Sequence, residues 1–472
     1  MSATIKGAAA ELGTERIRKL LVQYAVPAVI AMTAASLYNM VDSIFIGHGV
    51  GPLAISGLAL TFPLMNLAAA FGSLVGVGAA TLVSMRLGQR DYETAQNILG
   101  NVVVLNLIIG LSFGLVTLLF LDPILYFFGA SDATIGYARD YMTIILLGNV
   151  ITHMYLGLNS VLRASGHPRK SMYATIYTVV INAALDPLFI YGFGWGIRGA
   201  AVATILAQVI ALVWQFHILS DKSELLHFRP GIYRLRRKIV RDILAIGMSP
   251  FLMNLAACFI VILINKGLKQ YGGDLMIGAY GIVNRLAFFF VMIVMGINQG
   301  MQPIAGYNFG ARQYERVLRV LKLTIIGATC VTMAGFLMGE LVPRLAVSAF
   351  TNDPELIRLS VEGMRIVFIC FPIIGFQMVA TNFFMSIGMA GKAIFLSLSR
   401  QLLFLMPGLI FLPHISDVYT VGTAAGACGA RCRFRTCWRR SWPSACWPTS
   451  CVNSGPRWMR PRQLTIPNNP RL

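Results

Sequence analysis

The sequence predicts an all-α integral membrane protein built as two six-helix lobes related by a pseudo-two-fold repeat. Three observations carry that expectation. The chain of 472 residues is 56% hydrophobic and only 12% charged, with a mean hydropathy of +0.69, too little charge to clothe a soluble protein of this size. Apolar stretches long enough to cross the hydrocarbon, which takes about 20 residues of helix, recur along most of its length. A six-residue signature, Gly88-Gln-Arg90-Asp-Tyr92-Glu93, returns 222 positions later as Gly310-Ala-Arg312-Gln-Tyr314-Glu315.

The same offset relates Gly166 to Gly388, Lys170 to Lys392, Leu53 to Leu275 and Ile55 to Ile277, and brings Pro27 within one residue of Pro250. Copies that keep one orientation each need an even number of crossings and are related by an axis along the membrane normal. In chain order the expectation is an N-terminal segment over 1–19, then a first lobe over 20–219 with spans near 20–46, 53–83, 96–121, 137–161, 171–192 and 198–219. A basic linker covers 220–238, and a second lobe covers 239–420 with spans near 239–265, 275–306, 317–341, 358–384 and 391–413.

Lys and Arg gather in alternate loops. They occur at Lys6 to Lys19, Arg86 and Arg90, Arg163 to Lys170, Arg229 to Arg241 and Arg312 to Lys322, whereas Asp122 to Asp132 holds none. This places the N-terminus and the linker in the cytoplasm. The first nineteen residues lack the apolar run and cleavage site of a secretory signal, so the first span is expected to direct insertion. The expected location is a bacterial cytoplasmic (inner) membrane. Much of the +20 net charge is then topological, and no nucleic-acid partner is needed to explain it.

A twelfth span is missing. From Gly422 onward there is no Asp or Glu, while nine Arg, five of the eight Cys and four of the six Trp crowd together. The Cys428, Cys432, Cys437, Cys446 and Cys451 spacings match no paired zinc pattern. Residues 421–472 therefore read as the product of a shifted frame that replaced the last helix, the alternative being a native basic tail. Sequencing the gene across codons 415–450 and finding no apolar alternative frame would sink the frameshift.

Chemistry must come from the few polar residues inside the spans, because a carboxylate at mid-helix costs about 2.5–3.5 kcal/mol on insertion scales. The first half offers Asp42 and Asp186. Counting inward from Gly47 and Tyr191, each lies roughly 7 Å inside the outer boundary. Asn182 is one turn from Asp186 on the same face. Pro187 follows, with no N–H to give the carbonyl of Ala183. Thr204 and Tyr141 come in at comparable depth. Such a cluster can hold a proton, or its oxygens can replace the hydration shell of Na+; the residues leave the two open, and satisfied helix-end acids are the plain alternative. Tyr38, Asn39, Tyr141, Asn159, Asn182 and Asp186 are candidate substrate contacts, Asn159 lying nearer the cytoplasmic end. His153 reads as a buried histidine satisfied in place, with a relay role as its alternative.

At these residues the chain resembles the multidrug and toxic compound extrusion (MATE) family. The resemblance rests on Leu37-Tyr38-Asn39-Met40-Val41-Asp42 with Phe45-Ile46-Gly47, Gly76-Val77-Gly78-Ala79-Ala80 leading to Gly88, Leu162-Arg163-Ala164-Ser165-Gly166-His167-Pro168, Asn182-Ala-Ala-Leu-Asp186-Pro187, and Gln302-Pro303-Ile304-Ala305-Gly306-Tyr307-Asn308-Phe309-Gly310. It covers about residues 15–420. It implies twelve helices in two lobes forming a V, and export of organic cations or amphipathic drugs against inward H+ or Na+. It also implies a first-lobe cation site at Asp42, Asn182, Asp186 and Thr204, with Pro27 as a hinge; as a plain residue Pro27 is equally a tolerated kink, and Pro187, read from its missing N–H, is the second hinge candidate.

The second half reads Asn254-Leu-Ala-Ala-Cys258 and Gln377-Met-Val-Ala-Thr381 where one branch of the family keeps acids. The chain therefore resembles the branch that relies on its first lobe. No cofactor beyond the coupling ion is expected, and the expected partners are a small-molecule drug or organic cation and membrane lipid, with the chain acting as a monomer. A flippase for a lipid or lipid-linked saccharide is the second functional reading, a non-transporting remnant created by the tail another. An enzyme is disfavoured, since no metal motif or nucleophile with its base appears.

Overall fold

Helices make up every regular element among the described residues. The computed structural model describes residues 7–50, 52–350 and 353–399, leaving aside the side chains at 7–10, 38–41, 43–44, 47–48, 53, 55–56, 261–263 and 265–278. The first half runs α1 (Gly7–Thr14), α2 (Ile17–Gly49), α3 (Pro52–Gly88), α4 (Tyr92–Leu119), α5 (Leu121–Phe127), α6 (Ile135–Leu147), α7 (Asn149–Ala164), α8 (Pro168–Pro187), a π-helical segment (Leu188–Gly192) and α9 (Gly196–Ser220). The second runs α10 (Arg237–Gly310), α11 (Tyr314–Leu341), α12 (Pro343–Ser348), α13 (Pro354–Phe368), α14 (Phe371–Ser386) and α15 (Ala390–Leu398).

Eight helices are long and apolar enough to cross a membrane, and two bent pairs bring the number to ten among the described residues. The expected spans 137–161 and 358–384 are each two shorter helices, α6 and α7 meeting at 55° and α13 and α14 at 49°. The first bend falls at Gly148, where an added Cβ would stand 2.3 Å from the Ile205 side chain, so the backbone is drawn against α9. Most of the expected eleventh span lies outside the described residues, as does the tail 421–472 with its proposed frameshift. α10 holds two spans, Arg237–Ile260 and Ala279–Gly310. Gly78 abuts Ile243 and Gly88 abuts Tyr307. The two glycines are about 15 Å apart on α3, whereas a straight helix between their partners would cover roughly 96 Å; the two spans of α10 therefore lie side by side against α3. Leu107, Leu111 and Leu115 on α4 and Ile326 on α11 stay exposed, forming apolar faces suited to lipid.

The repeated signature is a helix ending. Arg90 and Arg312 take left-handed φ values of 61° and 60°. The following N–H groups turn back, Asp91 to Arg86 O at 2.9 Å and Gln313 to Asn308 O at 2.8 Å, in the geometry that usually takes glycine at a helix C-terminus. Asp91 then caps α4 by accepting from Thr94 N at 3.1 Å, whereas Gln313 gives α11 no side-chain cap. The glycines have a different task. A Cβ on Gly88 would lie 2.0 Å from Tyr307 O, and one on Gly310 would lie 2.1 Å from Met85 O. The backbones of the two halves thus touch reciprocally at the face that carries both signatures. Further in, a Cβ on Gly78 would lie 2.1 Å from Ile243 O and one on Gly300 would lie 2.6 Å from Ala25 Cα, and these glycines are again 222 positions apart.

Each half also reaches over the other. Leu12 O, in α1, accepts from Asn308 Nδ2 at 2.9 Å and Arg316 Nη2 at 3.1 Å, and Glu15 O accepts from Arg316 Nη2 at 2.7 Å. These bonds satisfy carbonyls that a helix end leaves open. The repeat mate of Leu12 is Arg234, in the linker before the second half. Its carbonyl accepts from Asn101 Nδ2 at 3.2 Å, while Arg236 N donates to Asn101 Oδ1 at 3.0 Å. Earlier in the linker, His227 N donates to Gln96 Oε1 at 3.3 Å. Glu224 pairs with His167 Nε2 at 3.0 Å and with Lys170. The His167 hydrogen bond and then Lys170 hold the Glu224 carboxyl down at about 2, against the opposing effect of burial.

Candidate cation site and transport cavity

Asp42, Asn182 and Asp186 are buried to 6%, 1% and 0% exposure, inside a lobe wall where α2 packs along α8. One helical turn places Asn182 and Asp186 on a shared face, and Asn182 Nδ2 donates to Asp186 Oδ1 and to Thr204 Oγ1, both at 3.3 Å. The Thr204 hydroxyl itself donates to Ala200 O at 3.0 Å. Asn182, Asp186 and Thr204 are therefore joined by hydrogen bonds, and Asp42 is buried on α2, the helix packed along α8. Asp42 Oδ1, Asn182 Oδ1 and Asp186 Oδ2 are buried without a hydrogen-bond partner among the described residues, and such oxygens are costly unless something satisfies them. Hard oxygens in this number suit Na+; a proton on one carboxylate equally satisfies the pair.

Pro187 closes α8, and the chain continues as the π-helical turn Leu188–Gly192. A proline without an N–H for Ala183 explains the break, and π turns often accompany functional sites. Pro27, by contrast, sits inside an uninterrupted α2. Tyr141 is not part of this cluster's hydrogen bonds with Asn182 or Asp186; it is buried in the apolar packing with Ile46, Met142 and Ile190. Tyr38 and Asn39 belong to α2, but their side chains lie outside the described residues. His153 is fully buried with Nε2 3.0 Å from Ala68 O, so one ring nitrogen is satisfied in place, while its Nδ1 has no hydrogen-bond partner among the described residues.

A cavity of about 350 Å³ opens nearer the signature face, between α2, α3, α7, α8 and α10, and Pro27 and Asn159 line it. Asn159 Nδ2 donates to Thr175 Oγ1 at 3.2 Å, and Arg163 Nη1 donates to Gln299 Oε1 at 2.7 Å, joining the two halves. Sequence reasoning took Arg163 as a topological charge and as part of a family motif but not as a site residue, although its four-residue spacing from Asn159 puts both on one face of α7. In the second half Asn254 bonds its own helix at Pro250 O, 2.9 Å, and Gln377 donates to Leu396 O at 3.3 Å. No carboxylate stands at those positions.

The MatE family model matches residues 27–188 and again 248–410, the unit occurring twice at the spacing of the chain's own repeat. The chain belongs to the MatE family. The multidrug export protein MepA of Staphylococcus haemolyticus is 27% identical over 384 residues, 81% of this MatE chain and 84% of its own length. MepA of Staphylococcus saprophyticus is 26% identical over 406 residues, 84% and 89% of the two chains. A solved structure of the MATE multidrug transporter DinF-BH superposes with a TM-score of 0.80 at 35% identity, covering 88% of this chain and 93% of that one. The outward-facing conformation of a multidrug resistance MATE transporter superposes with a TM-score of 0.83 at 24% identity, over 89% and 93%, a likeness of fold. The MatE relatives are transporters, and this chain is a transporter rather than an enzyme.

Proposed function

We propose that this MatE chain exports organic cations and amphipathic drugs across a bacterial cytoplasmic membrane, exchanging them for inward-moving H+ or Na+. The observation that supports this reading is the set of three buried oxygens on Asp42, Asn182 and Asp186 that have no partner among the described residues. In it the chain follows the branch that uses its first lobe, and the signature face is cytoplasmic. The ion and the drug compete for the Asp42–Asp186 pair, and each favours a different lobe arrangement, because a ligand shifts an equilibrium only by differential affinity. Na+, where it is the coupling ion, would be held by Asp42, Asn182, Asp186 and Thr204. One proton moving inward down 100 mV gains about 2.3 kcal/mol, enough for roughly a fortyfold gradient of a neutral drug at 1.4 kcal/mol per tenfold. Exchange of one proton for one monovalent cation moves no net charge, so a pH gradient must then drive it.

The test is ethidium efflux from cells lacking their own pumps, comparing the chain with Asp42→Asn/Asp186→Asn at matched expression. Efflux by the parent that disappears in the double mutant is the expected result. Undiminished efflux in the mutant overturns carboxylate coupling. Imposing pH and Na+ gradients separately on proteoliposomes identifies the ion.

A further inference from the structure

We propose that the cavity near the signature face is a subsite for an anionic group, in which Arg163 holds the carboxylate or sulfonate of an amphipathic ligand. That such ligands are also transported rests on the exporter reading; the binding itself does not.

Among the described residues, Arg163 is the only charged one lining the cavity. Its guanidinium has five N–H donors, and its side-chain partner is the neutral amide of Gln299 at 2.7 Å. None of the ion pairs among the described residues includes it. Arg163 is half-buried; a charge partly withdrawn from water without a counter-charge carries a desolvation cost, and an anion in the cavity offsets it. α8 adds to the same polarity. It starts at Pro168, and Pro168 and Ser171 of its first turn form part of the wall, where a helix carries partial positive charge. Asn159, one turn from Arg163, keeps a buried Oδ1 with no partner among the described residues, a place for a ligand O–H or N–H. Tyr24, Met32, Tyr155 and Met172 supply an aromatic and thioether wall for an apolar body.

The acidic cluster does not neutralise this end. Asp186 lies fifteen residues beyond Ser171 on α8, about 22 Å along the helix. One helix therefore presents opposite polarities at its two ends. Gln299 belongs to the second half, so an anion that displaces it from Arg163 also loosens a bond between the halves, which gives the ligand a means of acting on lobe arrangement.

The experiment titrates the full chain in detergent with two dyes on one scaffold, rhodamine 110 with a free carboxylate and rhodamine 123 with that group methylated, read by fluorescence polarisation. In Arg163→Gln the Kd for rhodamine 110 is expected to rise about tenfold or more, the scale of a lost charge-assisted hydrogen bond, while that for rhodamine 123 changes less than about twofold. Arg163→Lys should recover part of the difference. Equal shifts for both dyes, or no shift for rhodamine 110, overturn the proposal. Should the variants fail to fold, naphthalene sulfonate is added to the unaltered chain: displacement of rhodamine 110 but not rhodamine 123 supports the subsite, and failure to displace it, or to bind it at all, overturns it. Selective binding of the acid by a chain that shows no efflux sustains the subsite and removes the exporter reading instead.

Discussion

Gly78→Ala is the sharpest probe of how the two halves meet. A Cβ at that position would stand 2.1 Å from Ile243 O, 3.0 Å from Ile243 C and 3.1 Å from Gly247 N. All three neighbours are backbone, and the facing residue is itself a glycine whose own Cβ would meet Leu74 O at 1.7 Å, so no side chain can swing aside. Ordinary contact begins at 3.4 Å, and relief needs a separation of about 1.3 Å along that line in packing as dense as a protein interior. Overpacking of this kind costs about 1–3 kcal/mol. The contact lies between the halves, so the cost falls on this lobe arrangement and leaves the packing within each half alone. An equilibrium between arrangements should shift by about 5- to 150-fold. Nitroxides at Gln89 and Gln313, in a background with the native cysteines replaced, report the separation at the signature face by electron double resonance. The expected result is a longer-distance population that grows in Gly78→Ala at unchanged expression, with a similar response to Gly300→Ala. An unchanged distance distribution in well-folded Gly78→Ala protein would refute the idea that these glycines set the lobe contact.

Other perturbations address the linker and the first helix. Glu224 is depressed to about 2 from an ordinary 4.5, so its pairing with His167 and Lys170 contributes stability that is full above about pH 4.5 and is lost as the pH falls toward 2. Thermal unfolding of the parent and Glu224→Gln should therefore differ at neutral pH and converge below pH 4.5; a gap that widens in acid contradicts the assignment. Asn101→Ala removes both the acceptor of Arg236 N and the donor to Arg234 O, leaving backbone groups unpaired at about 1–3 kcal/mol. Limited proteolysis should cut the 220–238 linker faster in that variant, and equal rates would show that the amide does not hold it. Arg316→Leu should free α1 in the same assay, with new cleavage near Thr14 and unchanged cleavage in the linker.

Periodicity and charge made the spans legible because membrane helices announce themselves by apolar length. The bends at Gly148 and near Ile369 were not legible, since a bent pair has the same hydropathy as a straight helix. Asp42, Asn182 and Asp186 could be grouped from sequence because depth follows from counting residues and face from a four-residue step. Equal depth alone does not give direction, and Tyr141, counted to a comparable depth, belongs to the buried cluster that includes Ile46, Met142 and Ile190. Arg163 was overlooked for the opposite reason, its charge having a sufficient explanation in topology. The offset that joined Gly88 to Gly310 also joins Gly78 to Gly300, but glycines are too common in such a chain for one more pair to stand out before the backbone contacts are seen.

The crossed docking of α1 and the linker bears on how the molecule is made. Leu12 leaves the ribosome before Asn308 and Arg316, which hold its carbonyl and are synthesised 296 and 304 residues later. During that interval the side chains of Asn308 and Arg316 that hold the end of α1 do not yet exist. The linker is in the reverse position, since Asn101 is already inserted when Arg234 emerges. Assembly is therefore ordered by translation itself: the second half is tethered to the first as it arrives, and the N-terminal segment locks down only once the second signature is in place, so that its docking marks a chain whose halves have both been inserted.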